Sequence, residues 1–232
     1  MHEFVRLLTE EQERKVMAKS IEVYKEFTGK YPKGWVAPAW EVGSKTMQIL
    51  EDFGIEYDHS MLHHDCQPYY VADVAEDSVV WPDYSKDPDT WMKPMLEQKP
   101  TKVVEIPGSW NVDDWRMIPL HPKYILNRTN VNTAPMNYTK RPGTHGFVNP
   151  RDVEVQWRDQ FDFFYREYDS FVFCVSCHPQ VSGKSNVMLM HERFIEYLKT
   201  KEGVEFVTMA QVCDEFKAGT LPGATVKAGV AV

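Results

Sequence analysis

Two periods of hydrophobic positions run through this chain, one of helices and one of strands. The clearest strand signal is Phe171-Val172-Phe173-Cys174-Val175, an apolar and partly β-branched run that predicts a buried strand. It passes through Ser176 and Cys177 to His178, and Pro179 stops the ladder. Near the start, Thr9 with Gln12 three residues on predicts a capped helix, with Val16, Ile21, Tyr24 and Phe27 as its apolar stripe and Gly29 at its end. A short strand broken by Pro38 follows over 34–41. Next come a helix over 45–53, capped by Ser44 and closed by Gly54, and a strand over 55–58. Strand, helix and strand in this order predict an α/β fold with parallel strands.

The chain from His59 to about Thr101 loses this regularity, and its aromatic residues among Pro and Asp suit a groove lining. Val103 to Pro107 predicts another strand. A second irregular stretch, 120–149, is long for a loop inside a domain, which marks it as functional or mobile. A long helix is expected over 153–168, facing inward through Val155, Phe161, Phe164 and Tyr165. Further helices are expected over 187–199 and 209–216, with a strand over 204–207 between them. The domain is expected to occupy 1–218, with 219–232 as a flexible tail.

At 232 residues and 43% hydrophobic, the chain is long enough for one sizeable core. A formal charge of −8 without any basic run argues against nucleic acid or an anionic membrane as partner. No apolar stretch reaches the length of a membrane span. Four cysteines show no paired C-x-x-C pattern. Cys174 and Cys177 would lie on opposite faces of one strand, so reduced thiols are expected. With no signal-peptide pattern after Met1, the expected location is cytoplasmic.

A histidine at the end of a buried strand stands where α/β folds keep their chemistry, and it titrates in the useful range. His178 is therefore the first candidate. His63-His64-Asp65 form a weaker one, because adjacent histidines on a loop point apart. His59, His121, His145 and His191 read as surface or helix residues.

Four blocks then occur in order. They are Gly34-Trp35-x-x-Pro38-Ala39-Trp40-Glu41, Leu50-Glu51-x-x-Gly54-Ile55-x-Tyr57-Asp58-x-Ser60, Asn111-x-x-Asp114-Trp115 and His178-Pro179-x-x-Ser182-Gly183. Together they resemble the polysaccharide deacetylase family, the NodB homology domain of carbohydrate esterase family four, in its peptidoglycan-deacetylase-like branch. The resemblance implies a distorted (β/α) barrel that hydrolyses the N-acetyl amide of an amino sugar. It also implies a divalent metal, usually zinc, held by an Asp and two His.

Matched position by position, His178 corresponds to the family's general acid and Asp114 to the aspartate that tunes it. Ala39 would offer its backbone N–H to the oxyanion. Trp40 and Trp115 would line the acetyl pocket, with Asp65 a further substrate contact. His2 corresponds to the second histidine of the metal motif. The first histidine and the paired aspartates of the family's first strand have no counterpart, so the barrel is expected to be incomplete at its N-terminus. Val36 stands where the family has an arginine, and Asn111 where it has an aspartate. A barrel lacking a strand would expose apolar edges and favour homo-oligomers. Three readings stay open: a metal-dependent deacetylase of a carbohydrate, a small-molecule amidohydrolase for cyclic imides or ureides, and a non-catalytic scaffold.

Overall fold

The computed structural model describes residues 3–72, 84–90, 92, 99–114, 149–221, 226–227 and 230–231. The chain divides into two units. The first comprises Met1–Gly108, Tyr168–Phe173 and Val207–Val232, the second Ser109–Glu167 and Cys174–Phe206.

In the first unit the chain opens on helix α1 (Glu10–Thr28). Its start is the predicted capping box: Gln12 N–H donates to Thr9 Oγ1 at 3.3 Å, and Thr9 N–H donates to Gln12 Oε1 at 2.9 Å. Gly29 ends it in the left-handed conformation at φ +70°, where a Cβ would be strained. The inward stripe is not the one expected. Glu13, Met17 and Ile21 are buried, while Tyr24 is exposed and Phe27 is 89% exposed. The buried Glu13 carboxyl accepts from Thr46 Oγ1, and burial raises its pKa. Thr46 rather than Ser44 organises the start of α2 (Thr46–Asp52), because its hydroxyl takes the Gly43 N–H at 2.8 Å.

Strands β1 (Gly34–Trp35), β2 (Tyr57–Asp58), β3 (Tyr69–Ala72) and β4 (Pro100–Glu105) form one sheet in the order β1-β2-β4-β3. β1, β2 and β4 run parallel, and β3 pairs antiparallel with β4. α2 joins β1 to β2 as the expected crossover and packs on β4. Met17, Met47, Leu50, Tyr69, Val71 and Val103 belong to the core of this unit. Tyr69, expected to line a groove, is 1% exposed and part of that core. α6 (Met209–Ala218) carries a second capping box, from Thr208 to Gln211. Val226–Lys227 (β5) and Val230–Ala231 (β6) pair antiparallel within the stretch expected to be a tail.

The second unit packs α3 (Pro150–Glu167) against α5 (Ser185–Lys199). α3 turns Val153, Trp157, Phe161 and Phe164 inward, while Val155 is 56% exposed, so the apolar face is rotated from the predicted one. Glu154, buried on α3, is held by Arg158 at 2.6 Å and by Arg193 of α5 at 2.6 Å. Residues 204–207, expected to be a strand, carry no strand pairing, and Phe206 and Val207 are exposed. All four cysteines are free thiols, as expected. No described helix is long and apolar enough to cross a membrane.

One feature of the first unit is electrostatic. Asp58 and Glu105 face each other in register across β2 and β4, and both are fully buried. Asp58 accepts from Ser60 N–H at 3.0 Å and Ser60 Oγ at 2.8 Å, and Glu105 Oε1 accepts from Met61 N–H at 2.9 Å. No described donor reaches Glu105 Oε2, and the Asp58 carboxyl faces Glu105 in register. Two facing buried carboxylates repel each other and cannot donate to one another, so the pair retains a proton. Burial pushes Asp58 up to about 6. Burial together with the charge of Asp58 pushes Glu105 well above the usual carboxylate range.

The folded chain therefore binds more protons than the unfolded chain above about pH 4, and this pair lowers stability as pH rises through about 6. Glu105→Gln removes the group with the larger penalty and leaves an amide N–H where the proton sat. In thermal melts from pH 4.5 to 7, the variant should gain on the wild type by about 1 kcal/mol or more. A constant difference across that range would refute the retained proton.

Candidate active site

The second unit begins with a 3-10 turn at Trp110–Val112, where Asn111 N–H donates to Ser109 Oγ at 3.2 Å. The chain then extends through Asp113 and forms a single parallel bridge to Ser176. Ser176 N–H donates to Val112 O at 3.0 Å, and Asp114 N–H donates to Ser176 O at 3.0 Å. This bridge is what becomes of the strand predicted over 171–177. The run is half-buried and extended, with Val172 N–H bonded to Cys66 O at 2.8 Å in the first unit, but among the described residues it joins no ladder.

Two residues past the bridge, His178 caps the one-turn helix α4 (Pro179–Ser182). Pro179 fits its first position, since an N–H there would lack a helical partner. Gly183 follows because a Cβ at that position would stand 2.7 Å from Pro179 O. His178 N–H donates to Asp114 Oδ2 at 2.8 Å, and His178 Nδ1 lies 2.7 Å from Asp114 Oδ1. Ser182 Oγ donates to Oδ2 at 2.5 Å. Asp114, fully buried, thus accepts three hydrogen bonds. An ionised carboxylate only accepts, so the hydrogen of the Nδ1 contact belongs to the ring. His178 Nε2 is then the nitrogen that would exchange a proton with a ligand. A buried carboxylate that orients a half-exposed imidazole is the arrangement of a general acid–base pair. Asp113 Oδ1 stands 3.7 Å from Nδ1, beyond hydrogen-bonding distance.

Of the residues expected at the site, Asp114 and His178 are brought together in the second unit. Ala39, Trp40 and Asp65 belong to the first. Ala39 and Trp40 both have left-handed backbones, at φ +56° and +53°, a costly conformation for two successive non-glycine residues. The turn is braced at its entry, where Ala37 N–H donates to Ser60 Oγ at 2.7 Å. The half-buried Trp40 meets the His59 ring edge-on at 5.8 Å. Asp65 is exposed. His64 Nδ1 accepts from Cys66 N–H and Gln67 N–H at 3.2 and 3.0 Å, a capping role rather than a metal-binding one. His2 and Trp115 lie outside the described residues, as do His121 and His145.

Of the histidines read as surface or helix residues, one is buried off any helix and one lies on a helix as expected. His59 is 5% exposed, with Nδ1 2.8 Å from Ile106 O, and burial lowers its pKa. His191, on α5, has Nε2 2.8 Å from Ser182 Oγ. Its signal was present in the sequence: it lies four residues after Val187 and three before Phe194, on the buried stripe of the helix.

Among the described residues, two groups of side chains could in principle hold a metal ion: Asp113, Asp114 and His178, and Asp114, Cys177 and His191. Within each group the ligand atoms lie within 4.8 Å of one another. Neither fits a divalent metal. Both oxygens of Asp114 are committed to donors, Nδ1 of His178 is committed to Asp114, and burial raises the Cys177 pKa, favouring the thiol. His63, His64 and Asp65 form no such group among the described residues.

No family model matches the chain. A peptidoglycan deacetylase of Helicobacter pylori is 41% identical over 216 residues, covering 93% of this chain and 67% of the relative. The chain belongs to the polysaccharide deacetylase family. Another member-like relative, the peptidoglycan deacetylase-like protein FGM2 of Gibberella zeae, is 33% identical over 222 residues, with 93% of this chain and 60% of the relative covered. The chain thus spans about two thirds of the length of these relatives. A crystal structure of a polysaccharide deacetylase from Mycobacterium smegmatis superposes with a TM-score of 0.67 at 23% identity, covering 97% of this chain and 63% of that one. The fold is the NodB-type α/β fold expected from the motif blocks.

Removing the acceptor of this family member's buried pair should be costly. Asp114→Ala strands three donors, and urea denaturation should show a loss of about 2–4 kcal/mol. A loss below about 1 kcal/mol would mean that water already serves those donors.

Proposed function

We propose that this chain belongs to an N-deacetylase that hydrolyses the acetamide of an amino-sugar polymer or oligomer, with His178 donating the proton that releases the amine. The single observation that carries the reading is the 2.7 Å contact between His178 Nδ1 and the buried Asp114. The names of the two sequence relatives support the class of substrate.

Hydrolysis adds water across the C–N bond, and the nitrogen leaves as an amine only if it is protonated as that bond breaks. An imidazole whose Nδ1–H is fixed on a carboxylate has Nε2 aimed and ready to supply that proton. Asp114 also stabilises the positive ring on which the donation depends. A divalent metal, zinc by family resemblance, enters this reading through the family alone, since neither described ligand group fits it.

With a chitin tetramer as substrate and released acetate as the readout, His178→Ala should lower kcat by about 10²–10⁴-fold. Retention of wild-type turnover by this variant would remove His178 from the chemistry. Turnover of an allantoin-like ring in place of the sugar amide would shift the reading to a cyclic-ureide hydrolase.

A further inference from the structure

The Asp114–His178 pair has a continuation. Ser182 Oγ lies 2.5 Å from Asp114 Oδ2 and 2.8 Å from His191 Nε2. A serine hydroxyl has one hydrogen. Asp114 can only accept, so that hydrogen goes to Oδ2, and the contact with His191 is made by a hydrogen on Nε2. Burial lowers the pKa of His191, against a smaller opposing effect of Asp114, which favours the neutral ring. One directed chain results, from His191 Nε2–H to Ser182 Oγ–H to Asp114, which on its other oxygen receives His178 Nδ1–H.

We infer that Ser182 and His191 are positioning residues for His178, acting through Asp114. The inference rests on the proposed role of His178. A carboxylate held on Oδ2 by the His178 backbone alone could still swing about its Cβ–Cγ bond. A second donor on Oδ2 fixes the carboxylate plane and keeps Oδ1 on Nδ1. Bonds aligned head to tail also polarise one another. His191 is steadied in turn by Trp157, whose ring lies 5.7 Å away and whose Nε1–H donates to Asn111 O at 3.0 Å. The same buried indole therefore holds both the far end of the chain and the backbone leading into Asp114. Ser182 N–H donates to His178 O at 2.8 Å, which ties the two grips on Asp114 together.

The experiment compares Ser182→Ala, His191→Leu and His191→Gln with His178→Ala. It follows acetate release from a chitin tetramer and the downfield Nδ1–H resonance of His178 by NMR. Ser182→Ala and His191→Leu should lower kcat about 10- to 100-fold with KM within about 2-fold, and should weaken or shift the resonance. His191→Gln, whose Nε2 can donate to Ser182, should restore kcat to within about 3-fold of wild type and keep the resonance. Equal losses for Leu and Gln at 191 would refute the donor role. Wild-type kcat and an unchanged resonance in Ser182→Ala and His191→Leu, with His178→Ala inactive, would overturn the inference while leaving the proposed function standing. An active His178→Ala would instead defeat the proposed function. In that case the resonance alone decides: lost in Ser182→Ala and His191→Leu, it upholds the chain of contacts; unchanged, it overturns it.

Discussion

A carboxylate withdrawn from water must be met by donors, and the second unit is arranged to supply three of them to Asp114. Two backbone hydrogen bonds to Ser176 fix where that carboxylate stands, and the turn after His178 fixes where the donors stand. The packing of α3 on α5 gains a chemical role in this light. Through Trp157 it touches the ring of His191 and the carbonyl of Asn111, the outer ends of the polar network. Neither helix contributes the imidazole itself, and both determine how firmly it is held.

The first unit resolves the same problem in the opposite way. Asp58 and Glu105 are as deeply buried as Asp114, but no described donor reaches Glu105 Oε2. Where donors converge, each oxygen finds a partner; where they run out, burial favours keeping the proton. Asp58 also shapes its surroundings, because Ser60 links it to Ala37 at the entry of the left-handed turn.

Helix ends were the most legible part of the sequence. Thr9 with Gln12 and Gly29 act locally, so their pattern needs no knowledge of neighbours. Helix faces were less so: the period of α1 is plain, but Met17 rather than Tyr24 faces inward because the inner face depends on what packs there. Strands were harder still. The apolar run over 171–175 looks like a core strand, yet pairing is a property of two segments, and among the described residues only Ser176, just past the run, makes a bridge, to Asp113. β3 was missed because Tyr69 and Tyr70 follow an irregular stretch, and only their register with β4 makes them a strand. At the site, His178 and Asp114 were legible as a matched pair of motif residues. The helical place of His191 was legible too, but its role was not, because that depends on a partner across the turn.

The spacing of His178 and Ser182 can be understood from one turn of backbone. An α-helix advances about 100° per residue, so four positions bring a side chain nearly full circle. Both residues can then clasp the same acid from adjacent sides. Lengthening or shortening this segment by a single residue would swing the hydroxyl about a quarter of a turn or more off its target. A change of length between the two would break the clasp whatever side chains it carried, which makes the segment a ruler for the acid it grips.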